Sequence, residues 1–248
     1  MSRRTTLKAF MLAVAALLVL GVPVNAHQPF FEEKDIQASA PWRIQDPTVS
    51  TVVYATLDSP GDVDYFAFSG QAGDRILLEI TIPQIDGQND FAPAMALMGP
   101  GLDNASLPAR VERPAGGGGA VMFAPPPGPA ETFFEPFSRT SYWERQSTRV
   151  ALPEGGDYVV AIWHPDGEVG RYGFVIGDKE RLGGDLLGLA TKFPSYWTPV
   201  EAPAGPRVDE AGHMHSPDAL DGQDAPANPF GHKPAFRWPE GLECSSQR

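Results

Sequence analysis

Residues 62–83 read DVDYFAFSGQAGDRILLEITIP, and they decide the fold class. Between Arg75 and Ile82, the side chains of Ile76, Leu78, Ile80 and Ile82 alternate with Arg75, Glu79 and Thr81, with Leu77 as the exception. Strict alternation puts one face in a core and the other toward solvent, as in a half-buried antiparallel strand. Gln71-Ala72-Gly73-Asp74 is a turn, and residues 64–68 before it form a second strand, with Tyr65 and Ala67 out of phase with Phe66 and Phe68. Working outward, residues 49–57 are short and β-branched and run into the turn cluster Asp58-Ser59-Pro60-Gly61-Asp62. Residues 93–98 are a further apolar strand, stopped by Gly99-Pro100-Gly101, and residues 147–152, 158–163 and 171–176 return to the same pattern between turns at 153–157 and 164–167. Turn signals recurring about every ten residues predict an all-β fold, a jelly-roll-like antiparallel β-sandwich.

The flanks and the middle differ from this pattern. Residues 27–48 carry few strong signals and read as a lead-in to a sandwich over 49–182. Gly116 to Gly119 and Pro125-Pro126-Pro127-Gly128-Pro129 fit neither a central strand nor a helix interior. Residues 101–149 therefore read as a long Gly/Pro-rich insertion between strands, partly ordered. Its end is aromatic, with Phe133, Phe134, Phe137, Tyr142 and Trp143, either to anchor the insertion to the sandwich or to line a ligand groove. Residues 183–248 read as one short helix, over 183–190, followed by an irregular tail.

Residues 1–26 read as an export signal. Arg3, Arg4 and Lys8 form a positive start, an apolar stretch runs over 9–22, and Val24-Asn25-Ala26 offers a cleavage site that leaves His27 first in the mature chain. Ser2-Arg3-Arg4-Thr5-Thr6-Leu7-Lys8 resembles a twin-arginine signal with Thr6 where Phe is usual, so that route and the ordinary secretory route both stay open. A bacterial periplasmic or secreted location follows. The whole chain of 248 residues carries a formal charge of −12, and the mature part holds 16 Lys and Arg against 31 Asp and Glu. Such an acidic surface argues against nucleic acid and anionic membranes as partners. No second apolar stretch is long enough to span a bilayer. The single cysteine, Cys244, excludes an intrachain disulfide.

Pro60-Gly61-Asp62-Val63-Asp64-Tyr65-Phe66-Ala67-Phe68 with Ala72-Gly73-Asp74-Arg75-Ile76 resembles the first half of a bacterial pre-peptidase C-terminal domain. Leu152-Pro153-Glu154-Gly155-Gly156-Asp157-Tyr158-Val159-Val160 with Gly170-Arg171-Tyr172-Gly173-Phe174-Val175 resembles its second half. The resemblance covers residues 49–99 and 147–178. It implies a jelly-roll-like sandwich that serves as an accessory module of secreted enzymes, with some relatives binding extracellular matrix polymers or calcium. The insertion at 101–149 departs from that family, and no catalytic domain accompanies the module.

Two kinds of metal chemistry suggest themselves. An N-terminal His27 would offer an amine and a ring nitrogen to one ion, and Gly212-His213-Met214-His215 and Gly231-His232 supply further imidazoles and a thioether, a donor set suited to copper. Calcium instead would use hard oxygens in turns, at Asp58, Asp62 and Asp64 or at Asp86, Asn89 and Asp90, although the same residues favour turns for local reasons. No GxSxG, HExxH or P-loop motif is present. The residues thus lead to an exported, non-enzymatic binding or accessory protein whose partner is a protein or polymer, with a periplasmic copper-binding protein built on His27, His213, Met214, His215 and His232 as the alternative.

Overall fold

The computed structural model describes residues 27–114, 118–135 and 138–200, and the backbone of two short strands at 207–208 and 214–215. The leader, Cys244, His213 and His232 lie outside the described residues. Eleven strands build the sandwich: β1 (Gln28–Phe31), β2 (Trp42–Arg43), β3 (Thr51–Leu57), β4 (Asp64–Gly70), β5 (Arg75–Pro83), β6 (Ala94–Gly99), β7 (Gly119–Phe123), β8 (Glu131–Glu135), β9 (Thr140–Ala151), β10 (Gly156–Trp163) and β11 (Gly170–Ile176). They form a six-stranded sheet in the order β1-β3-β11-β5-β9-β8 and a five-stranded sheet in the order β2-β4-β10-β6-β7. The interior pairings are antiparallel, as the alternation predicts. The two edge strands from the lead-in are parallel to their neighbours, β1 to β3 and β2 to β4, so both sheets are mixed.

The core lies between the sheets. Ile76, Leu78, Ile80 and Ile82 of β5 are fully buried there, facing Phe66 and Phe68 of β4. Phe66 meets Phe174 of β11 at 4.6 Å between ring centroids, and Phe68 stacks on Tyr158 at 5.6 Å. The outer faces are partly covered as well. Tyr65, Ala96, Met98 and Trp163 on the outside of the five-stranded sheet pack under Leu107 and Val111. On the outside of the six-stranded sheet, Phe31, Tyr54 and Tyr142 pack under α1 (Leu186–Thr191) and α2 (Phe193–Tyr196). The cover of Leu107 and Val111 over the five-stranded sheet explains why Tyr65, out of phase with the core residues, is nonetheless buried. Asp185 caps α1 by accepting a hydrogen bond from the Gly188 N–H at 2.7 Å.

Residues 101–149 are more regular than their Gly/Pro content suggests. They hold β7, β8 and most of β9, and β9 is twelve residues long where the sequence predicts a short strand over 147–152. Gly118 and Gly119 stand where backbones approach closely: a Cβ on Gly119 would stand 1.8 Å from the Leu102 carbonyl oxygen, and one on Gly118 2.7 Å from that of Gly99. Tyr142 is buried and Trp143 packs against the core, so this part of the aromatic run anchors the stretch. Phe133 stacks on Tyr142 at 5.4 Å, while Phe134 is exposed. Residues 204–248 form a separate unit in which Arg207–Val208 pairs antiparallel with Met214–His215.

On the outer face of β5, Glu79 is half-buried, and burial followed by repulsion from Glu144 pushes its carboxyl up to about 7. A carboxyl raised on folding stabilises the protein below its unfolded value and loses that contribution as pH rises through its folded value. Glu79→Gln should therefore melt close to the wild type below about pH 4.5 and at a higher temperature above about pH 8, in thermal scans across that range. A constant difference between the two proteins would refute the assignment.

Candidate functional site

The residues with the least ordinary environment are carboxylates at one end of the sandwich, where the lead-in crosses the start of β4. Asp64 opens β4 and its side chain has no exposure to solvent. Its Oδ2 accepts a hydrogen bond from the Tyr172 hydroxyl of β11 at 2.5 Å, and its Oδ1 is buried with no hydrogen-bond partner. An ionised, half-satisfied carboxylate in such a place is costly unless a proton or a cation compensates it. The lead-in brings two more acids to it. Ligand oxygens of Glu32, Asp35 and Asp64 lie within 4.8 Å of one another.

Local structure explains the convergence. Ladder pairing holds β1 against β3, and the Glu32 N–H donates to the Tyr54 carbonyl at 2.9 Å, so the chain leaves β1 beside the sheet. The Glu32 carboxylate then accepts a hydrogen bond from the Thr56 N–H at 2.9 Å. Ile36, buried in the core, pins the turn that carries Asp35, and its carbonyl accepts from the Tyr65 N–H at 3.1 Å. Asp62, on the turn before β4, accepts from the Asp58 N–H at 2.8 Å.

The electrostatics follow from this geometry. Burial, with repulsion from Asp62, Asp35 and Asp58, raises Glu32 to about 8. Burial, with repulsion from Asp35 and Asp58, raises Asp62 to about 7. Asp64 is held well above the usual carboxylate range by burial and then by Glu32 and Asp62. Burial and the adjacent Asp64 keep the Tyr172 hydroxyl protonated and available as a donor. At neutral pH the cluster therefore retains protons that a divalent cation would displace. Hard carboxylate oxygens, one of them orphaned and buried, fit a calcium ion better than a soft metal.

The predicted calcium residues are found only in part at this site. Asp64 belongs to the group, Asp62 acts on it as a neighbouring charge, and Asp58 is exposed and donates its backbone N–H to Asp62. Glu32 and Asp35 escaped the sequence reading; the acidic run Glu32-Glu33-Lys34-Asp35 was the available signal. Asn89 and Asp90 are exposed and bonded to each other at 2.8 Å, and among the described residues the acids near them form no comparable group. Of the copper candidates, His27 is half-buried, its Nδ1 2.5 Å from the Ser50 hydroxyl, and burial lowers its basicity. Met214 and His215 belong to the ladder of the second unit. His164 is structural: it is buried, stacks on Phe91 at 5.2 Å, and its Nδ1 accepts the Asp166 and Glu168 N–H groups at 3.3 and 3.1 Å.

No protein-family model matches the chain. No curated protein matches it either. Solved structures with a similar arrangement include PliG of Aeromonas hydrophila, a periplasmic inhibitor of g-type lysozyme, at 12% identity and a TM-score of 0.32, covering 61% of this chain and 98% of that one. The pre-peptidase C-terminal domain of a Bacillus anthracis collagenase is similar at 10% identity and a TM-score of 0.30, covering 58% and 99%. CorA, a surface-associated copper-binding protein of Methylomicrobium album, is similar at 8% identity and a TM-score of 0.27, covering 61% and 98%. The likeness to the pre-peptidase C-terminal domain is one of fold alone. Among the described residues, no helix is long and apolar enough to cross a membrane.

Tyr172→Phe removes the one hydrogen bond donated to Asp64. It should destabilise the folded protein by about 1–3 kcal/mol in urea unfolding, the cost of leaving a buried acceptor unmet. An unchanged midpoint would show that the bond contributes nothing.

Proposed function

We propose that this chain is an exported, non-enzymatic binding protein whose β-sandwich holds a calcium ion at Glu32, Asp35 and Asp64. The observation that carries this reading is the fully buried Asp64 carboxylate, with one oxygen unpartnered, facing two further carboxylates. Calcium takes six to eight oxygen ligands in a flexible geometry, which side chains from a lead-in and a strand can satisfy together with water. The ion would neutralise mutually repelling acids and fasten the lead-in, with its edge strands β1 and β2, to both sheets. A protein so braced needs no disulfide to survive outside the cytoplasm, and the single cysteine is consistent with that. Its acidic charge favours a protein or polymer partner over nucleic acid. The copper reading is the alternative and rests on His27, His213, Met214, His215 and His232, of which His213 and His232 lie outside the described residues.

Calcium at about a hundredfold excess over its dissociation constant should stabilise the protein by about 2.7 kcal/mol. For a domain of this size that corresponds to a rise in melting temperature of about 5–10 °C. Asp64→Asn should abolish the rise. Calorimetric titration at neutral pH in buffers of different ionisation enthalpy should show proton release on binding, because Glu32 and its neighbours give up their protons. A melting temperature indifferent to calcium, or an equal rise in Asp64→Asn, would end the proposal.

A further inference from the structure

The lead-in supplies an edge to each sheet, β1 to one and β2 to the other. A cleft of about 420 Å³ opens beside these two edges. That volume falls within the roughly 300–1,000 Å³ of small-ligand sites. Its aromatic wall is Phe30 and Trp42, both half-buried, 6.1 Å apart and inclined at 59°. Arg43 and Arg181 also line it, and both are exposed. Asp46 is fixed in place as an acceptor by the Thr48 N–H at 3.0 Å and the Thr48 hydroxyl at 2.7 Å, with the Arg181 guanidinium 4.0 Å away. Gln28 is also in the polar lining, with Gln45 and Thr51, and its side-chain amide is 3.4 Å from the Arg181 carbonyl.

Three features narrow the ligand. Two guanidinium groups against one carboxylate, Asp46, leave this cleft net positive in a chain whose formal charge is −12, a local reversal of sign that favours an anion. Among the described residues no carboxylate pairs with Arg43, and no cation stacks on Trp42. The aromatic wall asks for an apolar surface on the same ligand, and Asp46 and Gln28 ask for hydroxyl groups. A simple inorganic anion would leave the rings unused, and a neutral apolar molecule would leave the guanidiniums unused. We propose that the cleft binds an acidic sugar. The C–H face of a uronate ring would lie on Trp42, its carboxylate on Arg43 and Arg181, and its hydroxyls on Asp46 and Gln28. The inference goes beyond the calcium site and does not depend on it.

The test is calorimetric titration of the full mature chain with tetragalacturonate. The titration is run once in chelator and once in saturating calcium, with the heat of uronate binding calcium subtracted, because calcium at Glu32, Asp35 and Asp64 would fasten the edge strands that wall the cleft. Saturable one-to-one binding is expected, with neutral galactotetraose and tetraglutamate failing to bind. The Arg43→Gln/Arg181→Gln double variant changes only exposed side chains. It should bind about tenfold or more weakly, at an unchanged melting temperature. Trp42→Ala should lose binding too; because Trp42 also packs on the core, the arginine variant carries the test if Trp42→Ala does not fold. No saturable heat in either condition, equal binding of tetraglutamate, equal binding of galactotetraose, or full affinity in the arginine variant would each overturn the proposal.

Discussion

The hydrogen bond from Tyr172 to Asp64 joins the two halves of this molecule. Tyr172 belongs to β11 near the middle of the six-stranded sheet, and Asp64 opens β4 in the five-stranded sheet. Both side chains are fully buried. Just beyond them Phe66 and Phe174 meet in the core, so the polar contact and the apolar one clamp the same two strands across the layers. A buried carboxylate must have its oxygens accounted for. One is met by Tyr172, and the other makes this end of the sandwich a place for a proton or an ion.

Apolar packing surrounds this contact on several sides. The core is apolar and aromatic between the sheets, and each sheet has cover on part of its outer face: Val111 and Leu107 on one, Phe193 and Tyr196 on the other. Tyr196 reaches through that cover to the carbonyls of Ala55 and Tyr172, which ties the helical segment to the same two strands, β3 and β11, that carry the site's neighbours. The lead-in is less secure. Its strands are short edge strands in parallel pairing, and three acids of mutual repulsion stand where it turns. A bound cation would act where these short edge strands attach, and the proposed sugar cleft uses the surface they create.

Much of the architecture was legible. Alternation over residues 75–82 identified β5 and its buried face, and the turns at 58–62, 71–74 and 153–157 separated the strands where the structure separates them. β1, β2, β7 and β8 were not visible. β1 and β2 are very short, and β7 and β8 adjoin Gly- and Pro-rich stretches whose composition suits a loop as well as an edge strand. The full length of β9 was also hidden, because residues 140–146 are mostly half-buried on both faces and a β-bulge opposite Ile80 and Thr81 breaks the period of two.

By itself the sequence determined an all-β sandwich, its principal strands, an acidic surface and the presence of Asp62 and Asp64 in a turn before a strand. Only the tertiary structure decided that Glu32 and Asp35 stand against Asp64, that one of its oxygens is left without a partner, and that Trp42 and Phe30 share a cleft with two arginines. The reason is physical. Period-two alternation is a property of neighbours along one strand, so it can be read locally. Which distant segments meet depends on strand order and parallel edge pairing, set by packing across the sheets, and no short stretch of residues records it.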